Sequence, residues 1–109
     1  MLLGSAKPAD MPSGIDTVHN YYENLVIDEI LRSNDRSQTD REFLADVACV
    51  ALNRLPPRYI RHNVDMTFFM SQQELQEVHD KVTAAVKEAI AYVTGREAAR
   101  ANSNEEAVT

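Results

Sequence analysis

Leu55-Pro56-Pro57 constrains this chain more than any other three residues in it. A proline disfavours the α conformation in the residue before it, and it has no N–H to donate to a helical ladder. A helix entering this segment must therefore end near Arg54, and the chain must leave Pro57 extended. The two rings also stiffen the exit, so the residues beyond it have little conformational entropy left to lose. The pair thus separates a helical half from a strip of fixed direction.

Further signals divide the rest of the chain. Residues 1–14 contain two of the four prolines and two of the three glycines, which predicts a flexible tail. A first helix is expected over residues 16–32, capped by Asp16 or Thr17 and ended by Ser33-Asn34-Asp35. A polar loop follows, and Asp40 starts the second helix. From 57 to 70, β-branched and aromatic residues recur at intervals (Tyr59, Ile60, Val64, Thr67, Phe68, Phe69), which predicts extended chain with a short strand. Ser71-Gln72-Gln73-Glu74 is a capping box, with Met70 and Leu75 placed for a hydrophobic staple. It opens a third helix expected to run to Thr94, with Gly95 as its stop. Residues 96–109 then form a second tail. The reading is one all-α domain over residues 15–95: three main helices with an extended segment after the second.

Composition agrees and removes some functions. With only three glycines and many strong helix formers among 109 residues, a sheet protein is disfavoured. The net charge of −6, from 17 acids and 11 bases, argues against non-specific binding to nucleic acid or to an anionic membrane. No apolar run approaches the ~20 residues that span a bilayer, and the N-terminus lacks the pattern of a secretion signal. The single cysteine, Cys49, allows no internal disulfide, which fits a reducing cytoplasm. It reads as a small buried hydrophobe rather than a nucleophile.

The helical faces point to burial on more than one side. In the third helix Leu75, Val82 and Ala89 recur every seven residues, as do Val78, Ala85 and Tyr92, with Val86, Ile90 and Val93 beside them. That stripe serves either the internal core or a dimer seam. In the first helix Val18, Tyr21, Tyr22, Leu25 and Val26 make one face, and Ile27, Ile30 and Leu31 are read as another. The second face predicts contact with another copy, an intertwined or helix-packed homodimer. Glu29 falls inside the tyrosine face, where a carboxylate is costly unless satisfied. It either pairs with an arginine or waits for N–H donors on a ligand. Asp46 and Asn53, seven residues apart beside Ala45 and Cys49, lie on a solvated face, join two subunits or line a cleft.

No catalytic signature is present. There is no glycine-rich phosphate loop, and His19, His62 and His79 lack metal-ligand spacing. No nucleophile–histidine–acid arrangement can be argued from local motifs, so no enzyme and no cofactor is expected. What stands out is a local cluster of bases in an acidic chain. Arg54, Arg58 and Arg61 occur within eight residues with no acid among them, and Tyr59 and Asn53 accompany them. Guanidinium forks suit phosphates and stack on flat bases. The plainer reading is that Arg54 complements the helix dipole and Tyr59 fills the core.

"NYYENLVIDEIL" and, some twenty residues on, "DVACVALNRLPPRYIRH" closely resemble the late competence protein family ComFB. The likeness covers roughly residues 18–94, and the A-L-N-x-L-P-P-x-Y string from Ala51 to Tyr59 is its most specific part. The resemblance implies a small helical protein that dimerises and binds cyclic dinucleotides, cyclic di-GMP (c-di-GMP) and also cyclic di-AMP (c-di-AMP), in bacterial pathways of competence, pili, motility and biofilm. A branch of the family carries a zinc-binding cysteine cluster, which Cys49 alone cannot supply, so zinc is not carried over. Arg54-x-x-x-Arg58 also matches half of the PilZ signature, but its companion D/N-x-S-x-x-G is missing.

A cyclic dinucleotide has two phosphates, two purines and near two-fold shape, so a symmetric dimer can meet it with matching groups. On that expectation Arg54, Arg58 and Arg61 hold phosphates or stack on bases, and Tyr59 and Tyr22 stack. Glu29, with Asp46 second to it, accepts from the guanine N1–H and N2–H₂ edge, and Asn53 holds the turn or touches a base. The ligand-bound protein would act on an unidentified downstream protein. The alternative is a dimeric adaptor with no nucleotide ligand, its arginine strip meeting an acidic partner.

Overall fold

The computed structural model describes residues 14, 17–61 and 70–108, with side chains as far as 103. Three helices dominate: α1 (Tyr22–Ser33), α2 (Arg41–Asn53) and α3 (Gln72–Val108). Two-residue strands β1 (His19–Asn20) and β2 (Tyr59–Ile60) pair antiparallel, with His19 opposite Ile60 and Asn20 opposite Tyr59. The all-α expectation therefore holds, and the short strand after the double proline is present. The rest of the extended segment, including Val64, Thr67, Phe68 and Phe69, lies outside the described residues, as does the N-terminal tail up to residue 13.

Each helix buries a stripe set by the 3.6-residue turn. Tyr22, Val26 and Ile30 of α1 meet Phe43, Val47 and Ala51 of α2 and Val82, Ala85, Val86, Ala89 and Val93 of α3, with Leu55 closing one end. Val26, Ile30, Val47, Ala51 and Ala89 are fully buried. Each large aliphatic side chain so removed from water contributes ~1.5–3 kcal/mol. Alanines at Ala51, Ala85 and Ala89 let the helices approach closely.

Local chemistry sets the starts of α2 and α3. The Asp40 side chain accepts from Phe43 N–H at 3.0 Å. At α3 the capping box closes both ways, Ser71 Oγ accepting from Glu74 N–H at 3.1 Å and Glu74 Oε1 accepting from Ser71 N–H at 3.2 Å. The polar loop between α1 and α2 contains a single 3-10 turn, Asp35–Gln38. From it Arg36 lies over the Phe43 ring at 4.1 Å and pairs with Asp40 and with Glu97 of α3.

Several expectations are corrected. The helix predicted from residue 16 begins at Tyr22, because His19 and Asn20 are drawn into the strand pair; Thr17 does not cap it, and Asp16 lies outside the described residues. Ile30 belongs to the inner stripe, since it stands four residues, or about 40°, from Val26. Only Ile27 and Leu31 remain half-exposed on the outer side. Gly95 does not stop α3. Its φ is not positive, so it forms no left-handed cap, and the helix continues to Val108 through residues expected to form a tail. Tyr92 is 47% exposed and so lies outside the internal core. Cys49 is exposed rather than buried, beside Asp46 and Asn53 on an open face of α2.

Candidate functional site

The strip beyond the double proline is fastened to the start of α1 by backbone. Tyr21 N–H donates to Arg58 C=O at 2.6 Å, and Arg58 N–H donates to Asn20 Oδ1 at 3.2 Å. The same Asn20 oxygen accepts from Tyr22 N–H at 3.1 Å, while Asn20 N–H donates to Glu23 Oε2 at 3.2 Å. Asn20 thus caps α1 and pins the strip with one carbonyl. This fixes the backbone of Arg58 and Tyr59 while their side chains stay in solvent, Tyr59 being 69% exposed. The Arg58 guanidinium makes no hydrogen bond or ion pair among the described residues. Arg61 is engaged: its Nε donates to Thr17 Oγ1 at 3.0 Å, and that hydroxyl donates to Gly14 C=O at 2.7 Å. Gly14 has φ 86°, and a Cβ there would stand 3.0 Å from Arg61 Nη2, so this turn requires glycine.

Next to the strip, α1 and the first turns of α3 enclose a groove of about 310 Å³. Its walls are Tyr21, Leu25, Leu75, Val78 and Val82, with Asp28, Glu29, Arg32 and His79 as the charged and polar groups. Burial pushes the Tyr21 hydroxyl pKa above its ordinary value, with Tyr22 acting in the same direction and the Arg58 charge opposing. Tyr21 is therefore the residue that links the groove to the strip. Glu29 is buried, as its place on the tyrosine face predicted, and it pairs with an arginine. Arg32 holds it through Nη2 at 2.8 and 2.7 Å and Nε at 3.2 Å.

The other predicted residues fall elsewhere. Tyr22 is 4% exposed and packs in the core with its ring 5.6 Å from Tyr21, so no face is open for stacking on a base. Arg54 turns to α3, where it meets Glu88 at 3.4 Å and lies 5.8 Å from the Tyr92 ring centroid. Asn53 donates to Cys49 C=O at 3.0 Å within α2. Asp46 lies in a second hollow with Cys49, Arg96 and Arg100, away from Glu29. Among the described residues no group of three or more His, Cys, Asp or Glu side chains is arranged to hold a metal, and no helix is long and apolar enough to cross a membrane.

The family model described as late competence development protein ComFB matches residues 19–97. The chain belongs to the ComFB family. That match takes in β1, all of α1 and α2, the strip and α3 as far as the Arg36–Glu97 pair, so it covers both the groove and the double proline. No curated protein and no solved structure matches the chain.

Sequence reasoning missed Asn20, Tyr21 and Arg32. Asn20-x-x-Glu23 is a capping-box pattern of the same kind as Ser71-x-x-Glu74 and could have been read that way. Arg32 stands three residues from Glu29, a spacing that brings side chains together on a helix. Nothing local signals that Asn20 also receives Arg58, thirty-eight residues away.

Proposed function

We propose that this ComFB-family chain is a non-enzymatic cytoplasmic receptor for a cyclic dinucleotide, c-di-GMP or c-di-AMP, working as a homodimer. Its bound state would alter contact with a downstream protein that governs surface behaviour such as motility, pili, competence or biofilm. The observation that carries this reading is Arg58-Tyr59: a guanidinium and an aromatic ring, both exposed on a backbone held to β1 and the start of α1. Charged donors so presented suit a phosphate, and a ring with a free face suits a base. Preorganisation matters here, because a flexible arginine loses rotamer freedom on binding whereas a held backbone has less to lose. Glu29, in the groove beside Tyr21, supplies the acceptor for a guanine edge. Arg54, Arg61 and Asn53 serve a different end in this reading, joining the strip to α3, to the Gly14 turn and to α2.

Titration calorimetry of the purified protein with c-di-GMP, c-di-AMP and GTP tests the proposal. Micromolar or tighter binding of a cyclic dinucleotide is expected, with GTP silent. Arg58→Ala should weaken it by a factor of roughly 10 or more, the loss of one charge-assisted contact of ~1.5–3 kcal/mol. Silence from all three ligands would reject the receptor and leave the adaptor, with the arginines facing an acidic protein.

A further inference from the structure

Glu29 and Arg32 are unequal partners. The Glu29 side chain is 10% exposed, yet the guanidinium that satisfies it belongs to a side chain that is 67% exposed. Arg32 reaches in from solvent and lays a flat edge of N–H groups along both carboxylate oxygens. A buried carboxylate is costly to leave bare, so the arm docks there when nothing else does. The walls beside it are apolar (Leu25, Val78, Val82 and the Tyr21 ring), and the space of about 310 Å³ lies at the small end of ligand sites, which run from ~300 to 1,000 Å³. That is room for one ring system.

We infer that this groove is a pocket for a single planar ring with two adjacent N–H donors, the edge that guanine has and adenine lacks, and that Arg32 covers its acceptor, the Glu29 carboxylate, in the ligand-free protein. The identity of the ring rests on the receptor reading above. The occupation by Arg32 rests only on geometry: the guanidinium is itself a planar double donor, and it stands where such an edge would bind. Asp28 lines the same groove and offers a second acceptor, while His79 faces it from α3. A ligand edge that pairs with the Glu29 carboxylate must displace the arm, so Arg32 competes with it. The guanine would then sit between Leu25 and Val78 with its sugar-phosphate leaving past Tyr21 toward Arg58.

Methyl NMR of the whole chain tests this, with guanosine, adenosine and methylguanidine as separate probes. Guanosine should move the methyl signals of Leu25, Val78 and Val82, and adenosine should not. In Arg32→Ala guanosine should bind roughly two- to fivefold tighter than in the wild type, the gain from removing a partly exposed intramolecular competitor. Arg32→Lys, which keeps the charge but not the flat edge, should shift affinity in the same direction and guards against loss of fold. Glu29→Gln should abolish the preference for guanosine. Equal response to the two nucleosides, weaker guanosine binding in both Arg32 variants, or methylguanidine binding in preference to guanosine would overturn the inference. The receptor reading fails separately: it falls if cyclic dinucleotides are silent while guanosine still moves the groove methyls. If c-di-GMP binds and those methyls stay still, the receptor stands and the pocket does not.

Discussion

Removing the Asn20 side chain should damage both the fold and the presentation of Arg58. Asn20 is 9% exposed, and its Oδ1 accepts from Tyr22 N–H at 3.1 Å and from Arg58 N–H at 3.2 Å. In Asn20→Ala both N–H groups lose their acceptor. An orphaned buried donor costs ~1–3 kcal/mol, and loss of a helix cap ~1 kcal/mol. Water can reach the Arg58 end, so the lower half of that range applies there, and the sum is about 2–3 kcal/mol. In a domain of this size that lowers the melting temperature by roughly 8–20 °C. Asn20→Asp keeps the acceptor and should cost less than ~1 kcal/mol. Urea unfolding of the three proteins at neutral pH gives the comparison, read from midpoints at constant slope. The reasoning fails if Asn20→Ala unfolds within ~0.5 kcal/mol of wild type, or if Asp is as harmful as Ala. A second readout separates capping from tethering: at temperatures where the alanine variant is still folded, its affinity for a cyclic dinucleotide should drop, because Arg58 is no longer held.

Two other predictions concern α3. Gly95 lies inside the helix without positive φ, and a Cβ there meets nothing within 4 Å, so Gly95→Ala should stabilise by ~0.5–1 kcal/mol and raise the thermal midpoint. A destabilised variant would mean that the helix does end there. The second concerns acid. The Phe43 N–H, and after it Arg36, hold the Asp40 carboxyl below its ordinary 3.8, and hydrogen bonds from Arg36 hold Glu97 below its ordinary 4.5. A carboxyl whose folded pKa is depressed contributes fully above its unfolded value and loses that contribution as pH falls through the folded one. Urea midpoints measured down to about pH 3 should therefore fall below pH ~4.5, and they should fall less steeply in Glu97→Gln than in wild type. Parallel curves for the two proteins would show that the Arg36–Glu97 pair does not couple folding to protons.

What could be read from the sequence was what neighbouring residues decide among themselves. Asp40 and the double proline bound α2, and Ser71 with Glu74 opens α3, because caps and prolines act within one turn. The buried position of Glu29 also followed from angular spacing alone. The start of α1 did not, since His19 and Asn20 join a strand partner forty residues ahead, and a two-residue ladder leaves no periodic trace. The end of α3 failed for the opposite reason. Glycine was read as a stop, yet Arg-Glu-Ala-Ala-Arg-Ala after it are strong helix formers, and Glu97 is tied to Arg36 across the fold. The modest helical cost of one glycine is outweighed by its surroundings.

The candidate site was half legible for a related reason. Arg54, Arg58 and Arg61 look like one cluster in the sequence, but Pro56 and Pro57 lie between the first and the others. Arg54 ends a helix and faces α3, Arg58 is exposed beside β2 with no side-chain partner among the described residues, and Arg61 lies over the Gly14 turn. Proximity along the chain implies a shared face only while one periodicity persists, and the double proline ends it. Conversely, Glu29 and Arg58 are far apart in sequence, but Tyr21 lines the groove of the first and senses the charge of the second. The device that made the strip conspicuous also dispersed its arginines, and the residue that reunites the remaining pieces carries no charge at all. A search for a ligand site in this fold should therefore follow the Asn20–Tyr21 corner rather than the run of bases.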